Sequence, residues 1–124
     1  MKKETNSDKT YAKILIIDDD QNITRTFARI LEKNGYKTDT AQTGLEAIQK
    51  TASKSFDVAL VDICLPDMNG IDLLCKLGKR GEKMIKIVIT GFPEMANGNA
   101  RPDAYLLKPV KPQELLSLIN QKLS

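Results

Sequence analysis

The sequence predicts an α/β protein built around a parallel sheet of five strands. Short apolar runs alternate with stretches of helical periodicity, an order typical of βαβ units. Four of the runs lead into polar residues: the first into three aspartates, the others into Asp62, Thr90 and Lys108. Because open α/β sheets place their ligands at the carboxyl ends of their strands, we expect these side chains to share one site.

The first strand and helix are predicted from the start of the chain. Residues 1–11 are polar and predict a flexible extension, and the apolar residues 14–17 predict a strand. A helix follows, with apolar residues at helical spacing and a stop signal at Asn34-Gly35. Its apolar positions are Ile23, Phe27, Ile30 and Leu31.

The second strand and helix follow that stop. Residues 36–41 alternate without a continuous apolar run, as in an edge strand. Thr43-Gly44-Leu45-Glu46 has the pattern of a capping box, so a second helix is expected from there to about Ser53.

The carboxyl-terminal half predicts three more strands, over residues 57–61, 85–89 and 104–107. A third helix is expected to begin near Asn69-Gly70, with Ile71, Leu74 and Cys75 on its apolar side. The last helix opens at Pro112, a residue suited to a first helical position. It is expected to bury Leu115, Leu116, Ile119 and Leu123.

The crossover from the fourth to the fifth strand is unusual. Residues 91–103 include Pro93, Gly98 and Pro102, which interrupt any long helix, and their apolar periodicity is poor. A full helix is expected in each of the other crossovers. We therefore expect a shortened or irregular fourth helix between these strands.

Composition narrows the class of protein. A chain of 124 residues is the size of one domain, here residues 12–124, and no run approaches the length of a membrane span. The start MKKETNSDKT lacks the apolar core of a signal peptide, so the cytoplasm is expected. The net charge of +3 does not predict nucleic-acid binding. The two cysteines are expected to be free thiols, and without histidine a Cys/His metal site is not predicted.

Four segments resemble a known family. ILIIDDD, VALVDICLPDMNG, IVITG and AYLLKP look like the motifs of the receiver domain of two-component response regulators, in the same order. The resemblance covers residues 12–123 and implies a flavodoxin-like, doubly wound sheet with strand order 2-1-3-4-5. Since no effector domain is expected in this chain, the stand-alone, single-domain type is the form it resembles.

The resemblance implies a site for phosphoryl transfer. Asp62 corresponds to the phosphoaccepting aspartate, Thr90 to the switch hydroxyl and Lys108 to the lysine of the motif. Tyr105 corresponds to an aromatic residue that reorients on activation. A tyrosine packed on a strand needs no such role, so that alternative stays open.

The resemblance also implies a magnesium site. Asp19 and Asp62 would bind Mg²⁺ directly, Asp18 would hold a metal-bound water, and the carbonyl of Cys64 would supply a further ligand. Independently of the resemblance, clustered aspartates repel one another, and a hard divalent cation with oxygen ligands compensates that repulsion. Without metal, at least one of these acids should have a raised pKa.

Three classes of function are compatible with the sequence. The first is a phosphorylation-controlled signalling switch that receives its phosphoryl group from a histidine kinase or phosphotransfer protein and then alters its binding to another protein. The second is an aspartate-nucleophile phosphatase, which usually has a second acid where this chain has Cys64, so an enzyme acting on other substrates is not expected. The third is an interaction scaffold that works without phosphorylation.

Overall fold

Five strands and four helices follow one another in the computed structural model, which describes residues 12–78, 83–91 and 102–124. In chain order they are β1 (Lys13–Ile17), α1 (Gln21–Lys33), β2 (Lys37–Ala41), α2 (Gly44–Ser53), β3 (Val58–Asp62), α3 (Gly70–Leu74), β4 (Ile85–Thr90), β5 (Ala104–Leu107) and α4 (Pro112–Leu123).

The strands form one parallel sheet in the order β2-β1-β3-β4-β5. The order reverses direction at β1, since β2 lies on one side of it and the later strands on the other. In doubly wound sheets ligands bind outside the carboxyl ends of the strands at this point. The predicted fold class and strand order are both confirmed.

Helices cover both faces of the sheet, because successive strand residues point to opposite sides. One apolar cluster joins Leu15, Ile17, Ala59 and Val61 to residues of α2 and α3. The other joins Ile14, Ile16, Val58 and Leu60 to residues of α1 and α4, among them Leu31, Leu115 and Ile119. Strand β3 is buried along its whole length, so it is held between these two clusters.

Helix boundaries follow local hydrogen bonds. Asn34 caps the end of α1, and Gly35 then adopts a φ of 92°, which a glycine tolerates without strain. At the start of α2 the Thr43 hydroxyl accepts the N–H of Glu46 at 3.0 Å. The Glu46 carboxylate accepts the N–H of Gln42 at 2.8 Å. The predicted capping box therefore forms with one difference: its second bond comes from the residue before the cap, not from Thr43 itself.

Strands β3 and β4 each end one residue later than predicted, and in both strands the additional residue is a predicted site residue. β3 ends at Asp62 and β4 at Thr90, because the ladder pairs Asp62 with Ile89 and Thr90 with Leu107. Both polar residues therefore belong to the sheet, which fixes their backbones more firmly than a following loop would.

The prediction for the third helix was partly wrong. Helix α3 ends at Leu74, where the Lys86 ammonium donates to the Leu74 carbonyl at 2.7 Å. Cys75 follows the helix and is exposed, whereas Leu73 and Leu77 are buried in its place. A five-residue helix completes little more than one turn, so helical spacing could not be extended to Cys75.

Some predictions fall outside the described residues. These are the flexible extension over residues 1–11 and the irregular fourth helix, most of which lies within residues 92–101. Within the described ranges, the helices are all too short or too polar to cross a membrane.

Candidate functional site

Three carboxylates meet at the carboxyl edge of the sheet. Asp18 and Asp62 are buried, with 4% and 5% of their surface exposed, while Asp19 is exposed. One oxygen from each of the three carboxylates lies within 4.8 Å of the others. The predicted convergence of acids from two neighbouring strands is therefore observed.

Backbone contacts hold these acids in place. The N–H of Asp18 donates to the Ala41 carbonyl at 3.0 Å, which ties the end of β1 to β2. The Asp18 carboxylate accepts the N–H of Asp20 at 2.9 Å and so bends the chain toward α1. The side chain of Asp20 accepts the N–H of Asn22 at 2.9 Å, as the N-cap of α1. Asp20 thus has the structural role common at a helix start.

Lys108, directly after the end of β5, supplies a positively charged side chain to the site. Its N–H donates to the Thr90 carbonyl at 2.9 Å, and its ammonium lies 3.3 Å from Oδ1 of Asp62. The same ammonium is 4.0 Å from Oδ2 of Asp18. Its side chain is 33% exposed, so one positive charge bridges the two buried acids while still reaching solvent.

The surroundings of Asp18 disfavour its ionised form. The pKa of Asp18 is raised from 3.8 to about 6, mainly because burial removes water from its carboxylate. The negative charges of Asp62 and Asp19 raise this pKa further, whereas the N–H of Asp20 and the charge of Lys108 lower it. The expected raised pKa among the aspartates is thus located at Asp18.

The other predicted residues lie on β4, on β5 and in the loop that follows β3. Thr90, at the end of β4, is 1% exposed, and Tyr105, on β5, is 46% exposed. Cys64 has an exposed thiol, and its N–H donates to Oδ1 of Asp62 at 3.4 Å. The resemblance to receivers also implies that Phe92, two residues after Thr90, borders the approach to Asp62; Phe92 lies outside the described residues.

The donor set fits a hard divalent cation. Carboxylate oxygens are the ligands that Mg²⁺ prefers, and an open site with one exposed acid leaves positions for water. A divalent charge would also relieve the repulsion among these acids. Asp18, Asp19 and Asp62 are therefore the residues that could hold Mg²⁺.

Sequence reasoning missed the role of Gly70. A Cβ atom at this position would lie 2.4 Å from the backbone oxygen of Asp62 and 2.8 Å from Cα of Ile63. Helix α3 can therefore start close beneath the site only because this residue has no side chain. The glycine in the segment MNG is the signal that could have found this contact.

Comparison with known proteins identifies the family to which this chain belongs. A profile of the response regulator receiver domain matches residues 14–120, most of the chain. The chain belongs to the response regulator receiver family. This receiver is 31% identical over 115 residues to the response regulator ArlR of Staphylococcus saprophyticus, covering 90% of this chain and 52% of that protein. It is 33% identical over 108 residues to the transcriptional regulatory protein ResD of Bacillus subtilis, covering 84% of this chain and 45% of that protein.

Solved structures agree with this assignment. A CheY-like receiver domain protein from Methanospirillum hungatei is 38% identical, with a TM-score of 0.80 over 91% of this chain and 94% of that one. The signal receiver domain of an HD domain-containing protein from Pseudomonas fluorescens is 26% identical, with a TM-score of 0.83 over 97% and 92% of the two chains. The receiver spans about half the length of the curated relatives it matches. Phosphorylation signalling in two-component systems is the general function of this family.

Proposed function

We propose that this receiver accepts a phosphoryl group on Asp62 and acts as a phosphorylation-controlled switch. The observation that supports this most strongly is the pair of donors on Oδ1 of Asp62: the Lys108 ammonium at 3.3 Å and the Cys64 N–H at 3.4 Å. Both donate to the same oxygen of the carboxylate. Oδ2 is then the oxygen that attacks phosphorus.

The donor is a phosphohistidine of a histidine kinase or histidine phosphotransfer protein. A new bond forms between Oδ2 of Asp62 and phosphorus as the bond to the imidazole nitrogen breaks, and the imidazole keeps the electron pair. Charge in such a transition state lies on the equatorial oxygens, so positioning and neutralisation supply most of the catalysis. The Lys108 ammonium supplies part of that neutralisation.

Asp18, Asp19, Asp62 and the carbonyl of Cys64 would hold Mg²⁺. The metal would supply further positive charge to the phosphoryl oxygens, in addition to that of Lys108. A positive charge close to Asp18 would stabilise its ionised form, which burial disfavours.

An apolar groove beside the site is suited to the donor protein. It has a volume of about 430 Å³ and lies between the start of α1 and the segment after β5. Ile23 and Phe27 of α1 line it together with Pro109 and Val110. Lys108, whose ammonium lies 3.3 Å from Asp62, also lines it. An amphipathic helix bearing the phosphohistidine could bury its apolar face here and bring phosphorus to Asp62.

The consequence of phosphorylation is a changed affinity for another protein. The buried hydroxyl of Thr90 is proposed to turn toward the phosphoryl oxygens, and Tyr105, half exposed on β5, to reorient with it. Catalysis is then limited to the receiver's own phosphorylation and dephosphorylation. We propose the cytoplasm as the compartment, since the phosphate donors of two-component systems present their histidines there.

The test is incorporation of phosphate from acetyl phosphate with Mg²⁺, measured on the intact protein and mapped to a residue by mass spectrometry. Asp62→Asn should abolish it. Asp57→Asn is the matched control, because Asp57 is an exposed acid just before the other end of β3. Incorporation undiminished in Asp62→Asn would refute the proposal, and no incorporation in the parent would favour the phosphorylation-independent scaffold.

A further inference from the structure

Asp67 ties the loop after β3 to the start of α2. Its Oδ1 accepts the N–H of Gly44 at 2.8 Å, and its Oδ2 accepts the N–H of Leu45 at 2.9 Å. Each oxygen of the carboxylate thus has its own donor, and hydrogen bonds to a charged acceptor are stronger than neutral ones. These two bonds lower the pKa of Asp67, which keeps it ionised.

The two bonds from Asp67 to the N–H groups of Gly44 and Leu45 form a clamp between the loop and α2. This clamp is not required to begin helix α2. Thr43 already caps α2 by accepting the N–H of Glu46 at 3.0 Å. The helix also lies close against the loop, since a Cβ atom at Gly44 would meet Sδ of Met68 at 2.5 Å. The main consequence of the two Asp67 bonds is therefore to fix the loop against a rigid helix.

That loop leads directly to the phosphoryl-transfer site. It begins with Cys64, whose N–H donates to Asp62 at 3.4 Å. It ends at Asn69, whose side chain accepts the N–H of Ile71 at 2.7 Å and caps α3. The backbones of Cys64 and Asn69 are paired in an antiparallel bridge. Both ends of the loop are thus held by local bonds, and Asp67 holds its middle.

We propose that Asp67 is a positioning residue for the metal: it holds the loop so that the Cys64 carbonyl is preorganised as a ligand. This inference rests on the proposed function of the site. Without the clamp, the cation must order the loop as it binds, so Mg²⁺ affinity falls. Excess Mg²⁺ restores the bound arrangement, so the maximal rate of phosphorylation is kept.

The test is a calorimetric Mg²⁺ titration of the full chain and of Asp67→Asn and Asp67→Ala. Asparagine has one acceptor oxygen and can keep one of the two bonds, whereas alanine keeps neither. Partners that orient metal ligands typically contribute 10-fold to 100-fold in affinity, so we expect about 10-fold weaker binding for Asp67→Ala and a smaller loss for Asp67→Asn.

Two controls separate positioning from loss of charge and loss of stability. Titrations in 1 M KCl, where the Debye length is about 3 Å, remove the long-range effect of a missing negative charge. Asp57→Asn removes a carboxylate that also accepts a backbone N–H, that of Lys13 at 2.8 Å, but outside this loop. Its Mg²⁺ affinity should match that of the parent.

The second measurement is the rate of phosphorylation by acetyl phosphate as a function of Mg²⁺ concentration. Asp67→Ala should shift the half-saturating concentration and leave the plateau at the parental rate. Parental Mg²⁺ affinity in Asp67→Ala, or an equal loss in Asp57→Asn, would overturn the positioning role while the parent still phosphorylates Asp62. A parent that neither binds Mg²⁺ nor takes up phosphate would overturn the proposed function as well.

Discussion

Replacing Asp18 by asparagine should stabilise the metal-free protein above pH 6. The pKa of Asp18 is raised to about 6 from 3.8 in the unfolded chain, so folding makes its ionised form less favourable. The gap is about two pKa units, and each unit corresponds to about 1.4 kcal/mol, which gives a penalty of at most about 3 kcal/mol. Asparagine cannot ionise, and its side-chain oxygen can still accept the N–H of Asp20.

The sign of the pH dependence follows from proton binding. Between pH 3.8 and about 6 the folded state holds a proton on Asp18 that the unfolded state has lost. The contribution of Asp18 to the free energy of unfolding of the parent therefore falls as pH rises through this window and levels off above it. The advantage of Asp18→Asn over the parent should be small near pH 4 and reach its full size by pH 7.5.

Urea unfolding followed by circular dichroism, in buffers with chelator, measures this difference. Comparing each variant with the parent at the same pH cancels the titration of the other acids. Asp57→Asn is the control, because it removes an exposed acid and should not show a gain that grows with pH. Equal stability of Asp18→Asn and the parent at pH 7.5, or a difference that does not change with pH, would refute the assigned desolvation.

Three further predictions concern single residues. Asp19→Ala should weaken Mg²⁺ binding more than Asp20→Ala, because only Asp19 belongs to the carboxylate cluster; equal effects in a titration would mean the ligands are wrongly assigned. Gly70→Ala should lower the free energy of unfolding by about 2 to 4 kcal/mol, since its Cβ would lie 2.4 Å from the Asp62 oxygen; unchanged urea unfolding would contradict this. Cys64→Asn should speed dephosphorylation, because an amide can orient the attacking water and a thiol does so poorly. An unchanged rate of phosphate loss in an autodephosphorylation assay would show that the side chain at position 64 does not determine the rate of hydrolysis.

The elements predictable from the sequence were those with a strong local pattern. The apolar runs located β1, β3, β4 and β5 to within one residue at each end, whereas β2 was predicted from an alternating pattern at the edge of the sheet. The end of α1 was predictable because Gly35 adopts a backbone conformation that few other residues tolerate. The strand order came from the family resemblance, since the periodicity of a strand does not specify its neighbours.

The elements that could not be predicted depend on contacts between distant residues. Helix α3 was predicted to reach Cys75, but it ends at Leu74, where the ammonium of Lys86 from the next strand meets the carbonyl. Local spacing contains no information about that ammonium. Asp67 was missed for the same reason, because its two donors in α2 lie 22 and 23 residues earlier in the chain.

Asp18 and Asp67 are both aspartates, but the fold affects their charges in opposite ways. Asp67 is exposed, and two N–H groups lower its pKa, so its charge is stabilised by the fold and can hold one element against another. Asp18 is buried among other acids, and its pKa is raised, so its charge is opposed by the fold. A fold that keeps such an acid gives up stability unless a cation compensates it. In this receiver the unfavourable charge of Asp18 therefore supports the proposed Mg²⁺ site.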